Sequence, residues 1–359
     1  MRVLLVLGTS AGGVGRHVQG LAGLLAGAGH HVLVACPAAV AAAFDLDEHA
    51  TVVPVELSDR PHPLRDALAV RDLAALTRGA DVVHAHGLRA GGIAVLATTR
   101  SRTPLVTTLH NAAPSGAVTG SVYAALERVV ARGSDLVLGV SADLVTRMDR
   151  LGARRTGPAV VPAPPGRLPS ADRYAVHAGL GLDARTSLGV VLARLAPQKG
   201  LDLLLDAHRD LVDLDLVTVV AGDGPMREHL QHRIDTEALP VRLLGRRADI
   251  PDLLAAADVV ISSAIWEGQP VGLQEALHAG AAIVATDVGG TAAVVGDAAV
   301  LVPGGDAVSL SRAIRDVVCH GGVRDNLRSK AVERAGELPT DADALAAAVA
   351  AYALVGARD

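Results

Sequence analysis

Aromatic residues are scarce in this sequence, and so are cysteines. The 359 residues include one tryptophan, three tyrosines and one phenylalanine, although half of the residues are apolar. The interior must therefore be filled by valine, leucine, alanine and isoleucine, which suits helices packed on parallel strands. Because this length exceeds the size at which one hydrophobic core grows efficiently, we expect two domains.

The sequence also lacks the features of secreted, membrane-spanning and nucleic-acid-binding proteins. Its two cysteines, Cys36 and Cys319, lie far apart and are interpreted as buried thiols of a cytoplasmic protein. The opening MRVLLVLG is too short for a signal-peptide core, and no stretch offers about 18 continuous, strongly apolar residues. The formal charge of -5 gives no general attraction to nucleic acid. We expect no nucleic-acid partner, and at most peripheral contact with the inner face of a membrane.

One basic cluster bears on that membrane question. Arg147, Arg150, Arg154 and Arg155 follow one another closely with only Asp149 among them. A solvated helix end is the favoured interpretation, and membrane contact through a lipid acceptor is the alternative.

Short β-branched segments alternate with helical segments in both halves of the chain, as in parallel βαβ units. Between Val160 and Ser170 the sequence VPAPPGRLPS is dense in proline and glycine, which is typical of a domain boundary. We predict an N-terminal domain over residues 1–163, a linker over 164–172 and a C-terminal domain over 173–340.

A glycine-rich loop follows the first predicted strand. It contains Gly12, Gly13 and Gly15 and leads into a helix predicted from about Arg16 to Ala28. Glycines at a helix start let the backbone approach an anion, but a tight structural turn explains the loop equally well. The spacing does not match a dinucleotide fingerprint, because Val18 occupies the third glycine position.

A second loop, in the C-terminal half, carries two cations. Arg194 and Lys199 follow the predicted strand LGVVLA and precede a helix, so both lie at the carboxyl end of a strand. Such a pair could neutralise a diphosphate. Only two of the 33 basic residues are lysines, so a lysine here indicates a position that requires a point charge. The alternative is two solvated surface cations.

Two acids flank the start of a later helix. Glu267 lies in the loop after the predicted strand DVVISSA, and Glu275 lies in the second turn of a helix that starts near Pro270. Carboxylates can accept hydrogen bonds from vicinal hydroxyls, while amides around Pro270, Val271 and Gly272 can bind a phosphate. The alternative is that Glu267 completes a turn and Glu275 lies on a solvated helix face.

Together, Arg194, Lys199 and the Glu267-x7-Glu275 pattern resemble the signature of retaining GT-B enzymes of glycosyltransferase family four, the group 1 glycosyl transferases. The resemblance covers nearly the whole chain and implies an α/β fold with two doubly wound Rossmann-like domains facing across a cleft. It also implies that residues 341–359 form a helix that crosses back onto the N-terminal domain. Supporting matches are Gly12-Gly13-x-Gly15, DVVHAHG with His84 and His86, TLHN with His110, VSADL near Ser141, AGDGP from Gly222 to Pro225, and LVPGGD near Val302.

The same resemblance implies roles for these residues. Arg194 and Lys199 would hold the diphosphate and stabilise the leaving group. Glu267 would contact the donor-sugar hydroxyls and Glu275 the ribose. His110 would reach the donor sugar near the reacting centre, although a histidine that ends a strand is often a core or capping residue. The other residues assigned to the donor are Gly12, Gly13, Gly15, Gly222, Pro270, Val271 and Gly272.

Two further histidines lie in the DVVHAHG segment. His84 and His86 are interpreted as alternating across a strand end, so that only one faces the cleft while the other packs or hydrogen-bonds inside. His86 is the candidate on the acceptor side.

The resemblance further implies a retaining transfer of a hexose-type sugar from a UDP- or GDP-linked donor to an acceptor hydroxyl on a small molecule, a glycan or a lipid-linked molecule. We expect no cofactor and no catalytic metal, because the Asp-x-Asp pairs do not lie beside the other motifs. The sequence departs from the family pattern at Gln269 and at Thr291-Ala292-Ala293, which affects donor preference. The Asp-x-Asp pairs are Asp45/Asp47, Asp213/Asp215 and Asp341/Asp343.

Other functions fit the same architecture. A glycogen-phosphorylase-like enzyme would need a lysine for pyridoxal, and neither Lys199 nor Lys330 lies in a matching context. A nucleotide-sugar epimerase and a non-catalytic binding protein remain as alternatives, and turnover that depends on an acceptor separates them from a transferase.

Overall fold

The computed structural model describes residues 1–9, 12–58, 62–112, 117–162 and 168–357. The chain divides into two compact units: the first comprises Met1–Pro162 and Pro339–Asp359, and the second comprises Ala163–Leu338. The part of the predicted linker over residues 164–167 lies outside the described residues.

The first unit contains a sheet of seven strands that are all parallel, in the order β3-β2-β1-β4-β5-β6-β7. Its central strands are buried on both faces and consist of apolar runs such as that of β1, as parallel sheets require. The strands are β1 (Arg2–Leu7), β2 (His31–Cys36), β3 (Thr51–Pro54), β4 (Val82–His86), β5 (Leu105–Leu109), β6 (Leu136–Gly139) and β7 (Thr156–Pro158).

The second unit contains a parallel sheet of six strands in the order β10-β9-β8-β11-β12-β13. The two sheets together confirm the predicted α/β class with two doubly wound parallel sheets. The strands are β8 (Ser187–Leu192), β9 (Leu216–Ala221), β10 (Val241–Gly245), β11 (Val259–Ser262), β12 (Ile283–Asp287) and β13 (Ala299–Pro303).

Helices connect the strands and cover both faces of each sheet. Short 3₁₀ turns also occur, and the one at Pro197–Lys199 lies in the loop after β8. The α-helices are α1 (Gly13–Gly27), α2 (Ala38–Ala43), α3 (Pro63–Thr77), α4 (Leu88–Thr98), α5 (Ala117–Gly133), α6 (Ala142–Arg150), α7 (Arg173–Gly179), α8 (Leu201–His208), α9 (Arg227–Thr236), α10 (Ile250–Ala256), α11 (Val271–His278), α12 (Thr291–Val295), α13 (Ala307–Cys319), α14 (Gly321–Ala335) and α15 (Asp341–Leu354).

Strand β1 shows how one apolar run supplies two cores. Val3, Leu5 and Leu7 pack with residues of α1 and α15 on one face of the sheet. Leu4 and Val6 pack with residues of α3 and α4 on the other face. Because side chains alternate along a strand, a continuously apolar segment is required where helices lie on both faces.

Helix α15 belongs to the first unit, although it follows the second unit in sequence. It begins in a capping box in which the Thr340 hydroxyl and the Asp343 carboxylate each accept a backbone N–H of the other residue. Tyr352 is fully buried in the core that α15 shares with α1. Arg155 donates a hydrogen bond of 2.6 Å to the carbonyl of Leu354 and so fixes the end of the helix.

Two expectations about local structure are corrected. Helix α1 begins at Gly13 and not near Arg16, because the Gly12 carbonyl already accepts hydrogen bonds from the amides of Gly15 and Arg16. Cys36 is buried as expected, but Cys319 is exposed because it is the last residue of α13. Within the described ranges, no helix is both long and apolar enough to cross a lipid bilayer.

Candidate functional site

In both sheets the strand order reverses beside the first strand of the unit. The reversal falls between β1 and β4 in the first unit and between β8 and β11 in the second unit. Loops diverge at such a point, and the crevice at the carboxyl ends of the strands is where open α/β sheets bind ligands. The loops after β8 and β11 contain Arg194, Lys199 and Glu267, so three of the candidate residues lie at this point of the second sheet.

Lys199 and Glu267 form an ion pair. The Lys199 ammonium group donates to Oε1 of Glu267, and their side chains are only 24% and 13% exposed. The resemblance implied separate contacts for these residues, with the diphosphate and with the sugar. The structure instead brings them together, so that the lysine charge is balanced by the carboxylate.

The two loops are also joined through their backbones. The Ile265 amide donates to the Gln198 carbonyl at 2.9 Å, and the Ser263 hydroxyl donates to the Lys199 carbonyl at 3.2 Å. Gly200 has a φ of +58°, and a Cβ at this position would lie 2.0 Å from the Ser263 carbonyl oxygen. Only glycine therefore allows the β8 and β11 loops to approach this closely.

Arg194 lies between two anchored residues. The amide of Ala193 donates to Ala221 and that of Leu195 donates to Asp223, at 3.1 and 3.0 Å. The Arg194 side chain is exposed, and over the described residues its guanidinium group makes no hydrogen bond or ion pair. The backbone is thus fixed while the cation remains accessible.

Gly222 permits the same loop geometry from the neighbouring strand. Its φ is +148°, and a Cβ would lie 1.9 Å from the Ala193 carbonyl oxygen. The residue assigned to the donor from the AGDGP motif therefore has a structural function of its own, because it lets the loop after β9 approach the backbone next to Arg194.

Helix α11 begins close to the end of β8. Pro270 is its N-cap, and a Cβ at Gly272 would lie 3.2 Å from that of Leu192. The first amides of a helix have no intrahelical partner, so those of Val271 and Gly272 are directed out of the helix start. Glu275 is half-buried in the second turn of the helix, as predicted from the sequence.

A third loop supports Glu267. The amide of Gly290 donates to the Glu267 carbonyl at 2.9 Å. Gly289 has a φ of +55°, and a Cβ there would lie 1.9 Å from the same carbonyl oxygen. The Gly-Gly pair after β12 thus holds the backbone of Glu267 in place.

The three glycines near β1 have different surroundings. A Cβ at Gly12 or Gly13 would meet no described atom within 4 Å, so space for a ligand exists beside both. A Cβ at Gly15 would lie 2.2 Å from the ring of Phe44. Gly15 is therefore required for the packing of α1 against Phe44.

Four histidines gather at the carboxyl edge of the first sheet. His17 in α1, His86 at the end of β4 and His110 after β5 each have a ring nitrogen within 4.8 Å of those of the other two. His86 Nδ1 and His110 Nε2 are 3.2 Å apart, at hydrogen-bond distance. Among the described residues, the buried Nε2 of His86 has no hydrogen-bond partner.

His84 is the fourth histidine, and its position corrects one expectation. Residues two apart on a strand point to the same face, so alternation does not separate His84 from His86. Their ring centroids are 4.2 Å apart. His84 is nevertheless held inside, because Nδ1 lies 2.9 Å from the Tyr352 hydroxyl and Nε2 lies 2.7 Å from that of Thr108.

These imidazoles are neutral at pH 7. Burial lowers the pKa of His17 to about 4. Burial, and then the nearby His17, lowers the pKa of His84 to about 3. The pKa values of His86 and His110 are also well below the ordinary value, first because of burial and then because of the neighbouring histidines. The cluster therefore offers neutral donors and acceptors and not positive charge.

Most of the basic cluster in the first unit is engaged within that unit. Arg147 makes two hydrogen bonds of 2.6 Å to the buried Glu127. Arg154 pairs with Asp135, and Arg155 bonds to the end of α15. Three of the four guanidinium groups thus hold elements of the unit together.

His17 and Tyr352 were not singled out from the sequence. His17 lies four residues after Gly13, which places it one helical turn into α1 and beside the edge of the sheet. Tyr352 is one of only three tyrosines, and it is surrounded by alanines in an apolar helix. A buried tyrosine hydroxyl requires a polar partner, but the partner cannot be identified without the fold.

Two family models match the chain. The model described as glycosyl transferase 4-like domain matches residues 12–164, and the model described as glycosyl transferases group 1 matches residues 187–320. The first match contains the glycine loop and ends two residues beyond Pro162, and the second lies within the second unit and contains the Lys199–Glu267 pair. The chain belongs to the group 1 glycosyl transferases, which confirms the resemblance drawn from its motifs.

Individual relatives and solved structures agree with that family. The chain is 30% identical over 315 residues to a D-inositol 3-phosphate glycosyltransferase of Geodermatophilus obscurus, covering 76% of this chain and 67% of the relative. It is 28% identical over 225 residues to the putative teichuronic acid biosynthesis glycosyltransferase TuaC of Bacillus subtilis, covering 60% and 55%. The fold matches HepE of Anabaena, solved with UDP-glucose, at a TM-score of 0.82 and 21% identity, covering 98% and 99%.

The extent of these matches differs between relatives. The alignments span 30%, 55% and 37% of the lengths of three curated relatives, an Escherichia coli galactosyltransferase, TuaC and a Rhizobium meliloti mannosyltransferase. The solved structures match over nearly the whole of this chain, and they confirm the GT-B fold expected from the sequence.

Proposed function

We propose that the chain transfers a hexose-type sugar from a nucleotide-diphosphate sugar to an acceptor hydroxyl, with retention of configuration and without a metal or other cofactor. The observation that carries this proposal is the convergence of Arg194, Lys199, Glu267 and the start of α11 where the second sheet reverses its strand order. Each of these features interacts with one part of such a donor.

The diphosphate is assigned to the cations. Cleavage of the sugar–phosphate bond leaves additional negative charge on the departing nucleotide. Arg194 is accessible on a fixed backbone, whereas Lys199 is partly buried, so water screens the Lys199 charge less than it would in bulk solvent. Groups fixed in advance around a developing charge lower the barrier more than they stabilise the ground state.

The Lys199–Glu267 pair connects leaving-group and sugar recognition. When a diphosphate approaches, the ammonium group can turn from the carboxylate to a phosphate oxygen. Glu267 then has free lone pairs, which accept hydrogen bonds from the donor-sugar hydroxyls. The pair thus keeps both groups neutralised until the donor arrives.

The start of α11 and Glu275 complete the donor contacts. The first amides of a helix favour anions, so Val271 and Gly272 are assigned to the phosphates together with the loop at Gly12 and Gly13. Glu275 is assigned to the ribose. UDP-sugars are the first donors to test, because HepE was solved with UDP-glucose and the name of the E. coli relative includes UDP-Gal.

The histidines of the first unit are assigned to the reacting sugar and the acceptor. His110 is assigned to the donor sugar and His86 to the acceptor, which is a small molecule, a glycan or a lipid-linked molecule. Both rings are neutral at pH 7, so they can donate or accept a hydrogen bond without adding charge. An epimerase would convert the donor without an acceptor, and a binding protein would convert nothing.

The first prediction compares the two lysines of the chain. Lys199→Ala removes the proposed phosphate contact, whereas Lys330→Ala removes a half-buried lysine of α14 that pairs with Asp297. A charge-assisted hydrogen bond contributes about 1.5–3 kcal/mol, so we expect Lys199→Ala to weaken donor binding by about 10- to 150-fold. Calorimetric titration and thermal shift with UDP-, GDP- and ADP-sugars measure this effect.

Wild type and Lys330→Ala should respond to the same nucleotide sugar, while Lys199→Ala and Glu275→Ala lose the response. Acceptor-dependent release of the nucleotide in the presence of EDTA tests transfer and its independence of metal. The proposal is wrong if no nucleotide sugar stabilises the wild type, or if Lys199→Ala and Lys330→Ala bind the donor equally well.

A further inference from the structure

The histidine cluster of the first unit has the composition of a transition-metal site. His17, His86 and His110 come from three different elements, namely α1, the end of β4 and the segment after β5. One ring nitrogen of each lies within 4.8 Å of the other two. Imidazole is the ligand that zinc, copper and nickel favour, whereas magnesium requires oxygen ligands.

The distances leave only a small adjustment to be made. In a tetrahedral zinc site with Zn–N bonds of about 2.0–2.1 Å, the ligand nitrogens lie about 3.3 Å apart. The ring centroids of His17 lie 5.5 Å from that of His86 and 5.3 Å from that of His110. The ring nitrogens, which lie within 4.8 Å of one another, must therefore approach by at most about 1.5 Å.

Two further observations indicate a ligand at this cluster. The Nε2 of His86 is buried, and in the described part of the chain it has no hydrogen-bond partner, a condition that commonly marks an ion or water. His17 and His110 are half-buried, which gives an ion a route from solvent.

We propose that His17, His86 and His110 bind one Zn²⁺ ion, each through one ring nitrogen, with water in the fourth position. This ion is not the metal of a catalytic step, since the proposed transfer uses Arg194 and Lys199 on the leaving group. Three neutral imidazoles with an open fourth position form a known zinc coordination pattern.

The binding test uses the metal alone and does not depend on the proposed transferase activity. Full-length protein without a polyhistidine tag is stripped with a chelator and titrated with ZnCl₂ by calorimetry, with MgCl₂ as a second titrant. We expect one high-affinity zinc per wild-type chain and no magnesium binding at the cluster. Removal of a residue that hydrogen-bonds to a metal ligand lowers the affinity for the metal by about 10- to 100-fold. Removal of a ligand itself should lower the zinc affinity at least as much.

His17→Gln and His86→Gln each remove one ligand, and His232→Gln is the matched control because His232 is an exposed histidine of α9. The proposal predicts that the first two variants lose the tight zinc and that the control keeps it. It is overturned if the wild type binds no zinc, or if all four proteins bind zinc equally well.

Cobalt provides a readout that does not require a variant to fold. Co²⁺ bound by three imidazoles and water in a tetrahedral site gives a strong visible absorption band, whereas octahedral Co²⁺ at scattered surface histidines absorbs weakly. A strong band in the wild type that Zn²⁺ abolishes supports the site. A weak, octahedral spectrum contradicts it.

One consequence rests on the proposed function. Because His110 is assigned to the donor sugar, bound Zn²⁺ should inhibit transfer, and a chelator should restore it. Binding without inhibition would leave the metal site intact and contradict only the assignment of His110. Absence of transfer under all conditions would contradict the proposed function and leave the zinc titration unaffected.

Discussion

At the scale of single residues, the hydroxyl of Tyr352 is the contact that joins α15 to the histidines. It lies 2.9 Å from Nδ1 of His84, whose ring packs against that of His86. The hydroxyl therefore orients His84 directly and influences the candidate acceptor-side histidine through it. Burial of this hydroxyl raises the pKa of Tyr352 far above its ordinary value, so it stays protonated.

Tyr352→Phe removes this hydroxyl and keeps the ring. We expect a loss of about 1–3 kcal/mol in the free energy of unfolding, because a buried nitrogen of His84 is left without its partner. Urea denaturation followed by far-ultraviolet circular dichroism measures the loss. Tyr174→Phe is the control, since Tyr174 is 72% exposed. Equal stability of the two variants would show that the buried hydrogen bond contributes nothing.

Single residues also show what the sequence could predict and what it could not. Arg194, Lys199 and Glu267 were predicted to follow strand ends, and the structure places them after β8 and β11. Their roles stay predictions. The Lys199–Glu267 ion pair was not predicted, because it depends on loop paths that Gly200 and Gly289 permit. His17 was missed because a single histidine in an amphipathic helix has no motif.

At the scale of elements, α8 is fixed to β9 by a buried histidine. His208 Nδ1 donates to the Leu204 carbonyl at 2.8 Å, and Nε2 accepts from the Thr218 hydroxyl at 2.8 Å. Since a carbonyl can only accept, the proton of the neutral ring is on Nδ1. Burial lowers the pKa of His208, so the folded protein holds the ring neutral.

The stability of the second unit should therefore depend on pH. Below about pH 6.5 the unfolded chain protonates His208 while the folded chain does not, so the free energy of unfolding decreases as the pH falls. This contribution is fully present above that pH and is lost progressively towards the lower folded pKa. Urea denaturation at about pH 7.5 and 5.5, followed by the fluorescence of Trp266, the only tryptophan, measures it.

His208→Gln should show a smaller decrease in stability between these two pH values than the wild type, although it is less stable at both. His232→Gln, which changes an exposed histidine, should keep the dependence of the wild type. If the free energy of unfolding of His208→Gln depends on pH as strongly as that of the wild type, groups other than His208 cause the pH dependence.

The boundaries of elements were predicted less well than their types. Apolar segments located the strands because buried parallel strands leave a continuous signal. The start of α1 was misplaced because glycines were interpreted as a loop, whereas the Gly12 carbonyl begins the helical hydrogen bonds. His84 and His86 were wrongly assigned to opposite faces, although a period of two places them on the same face.

At the scale of the whole molecule, the chain leaves the first unit at Pro162 and returns to it at Pro339. Deletion of residues 339–357 would remove Tyr352 and the buried alanines of α15 from the first core. Loss of one large buried aromatic side chain alone costs about 3–5 kcal/mol, so the first unit should be strongly destabilised.

Two signals separate the effects of this deletion on the two units. Helical circular dichroism reports on both units, whereas Trp266 lies only in the second. We expect the truncated chain to lose part of its dichroism at lower urea concentration while the midpoint of the Trp266 transition is unchanged. If both signals move together, the two units do not unfold independently.

The return of α15 also has a consequence for synthesis on the ribosome. The second unit is continuous in sequence, so all of its residues are translated before helix α15. The first unit starts earlier but obtains Tyr352 only after the second unit has been translated. Until then its nascent chain exposes the apolar surface that α15 will cover, and such surface makes intermediates prone to aggregate. A stop codon between the second unit and Tyr352 would therefore damage the unit that was translated first.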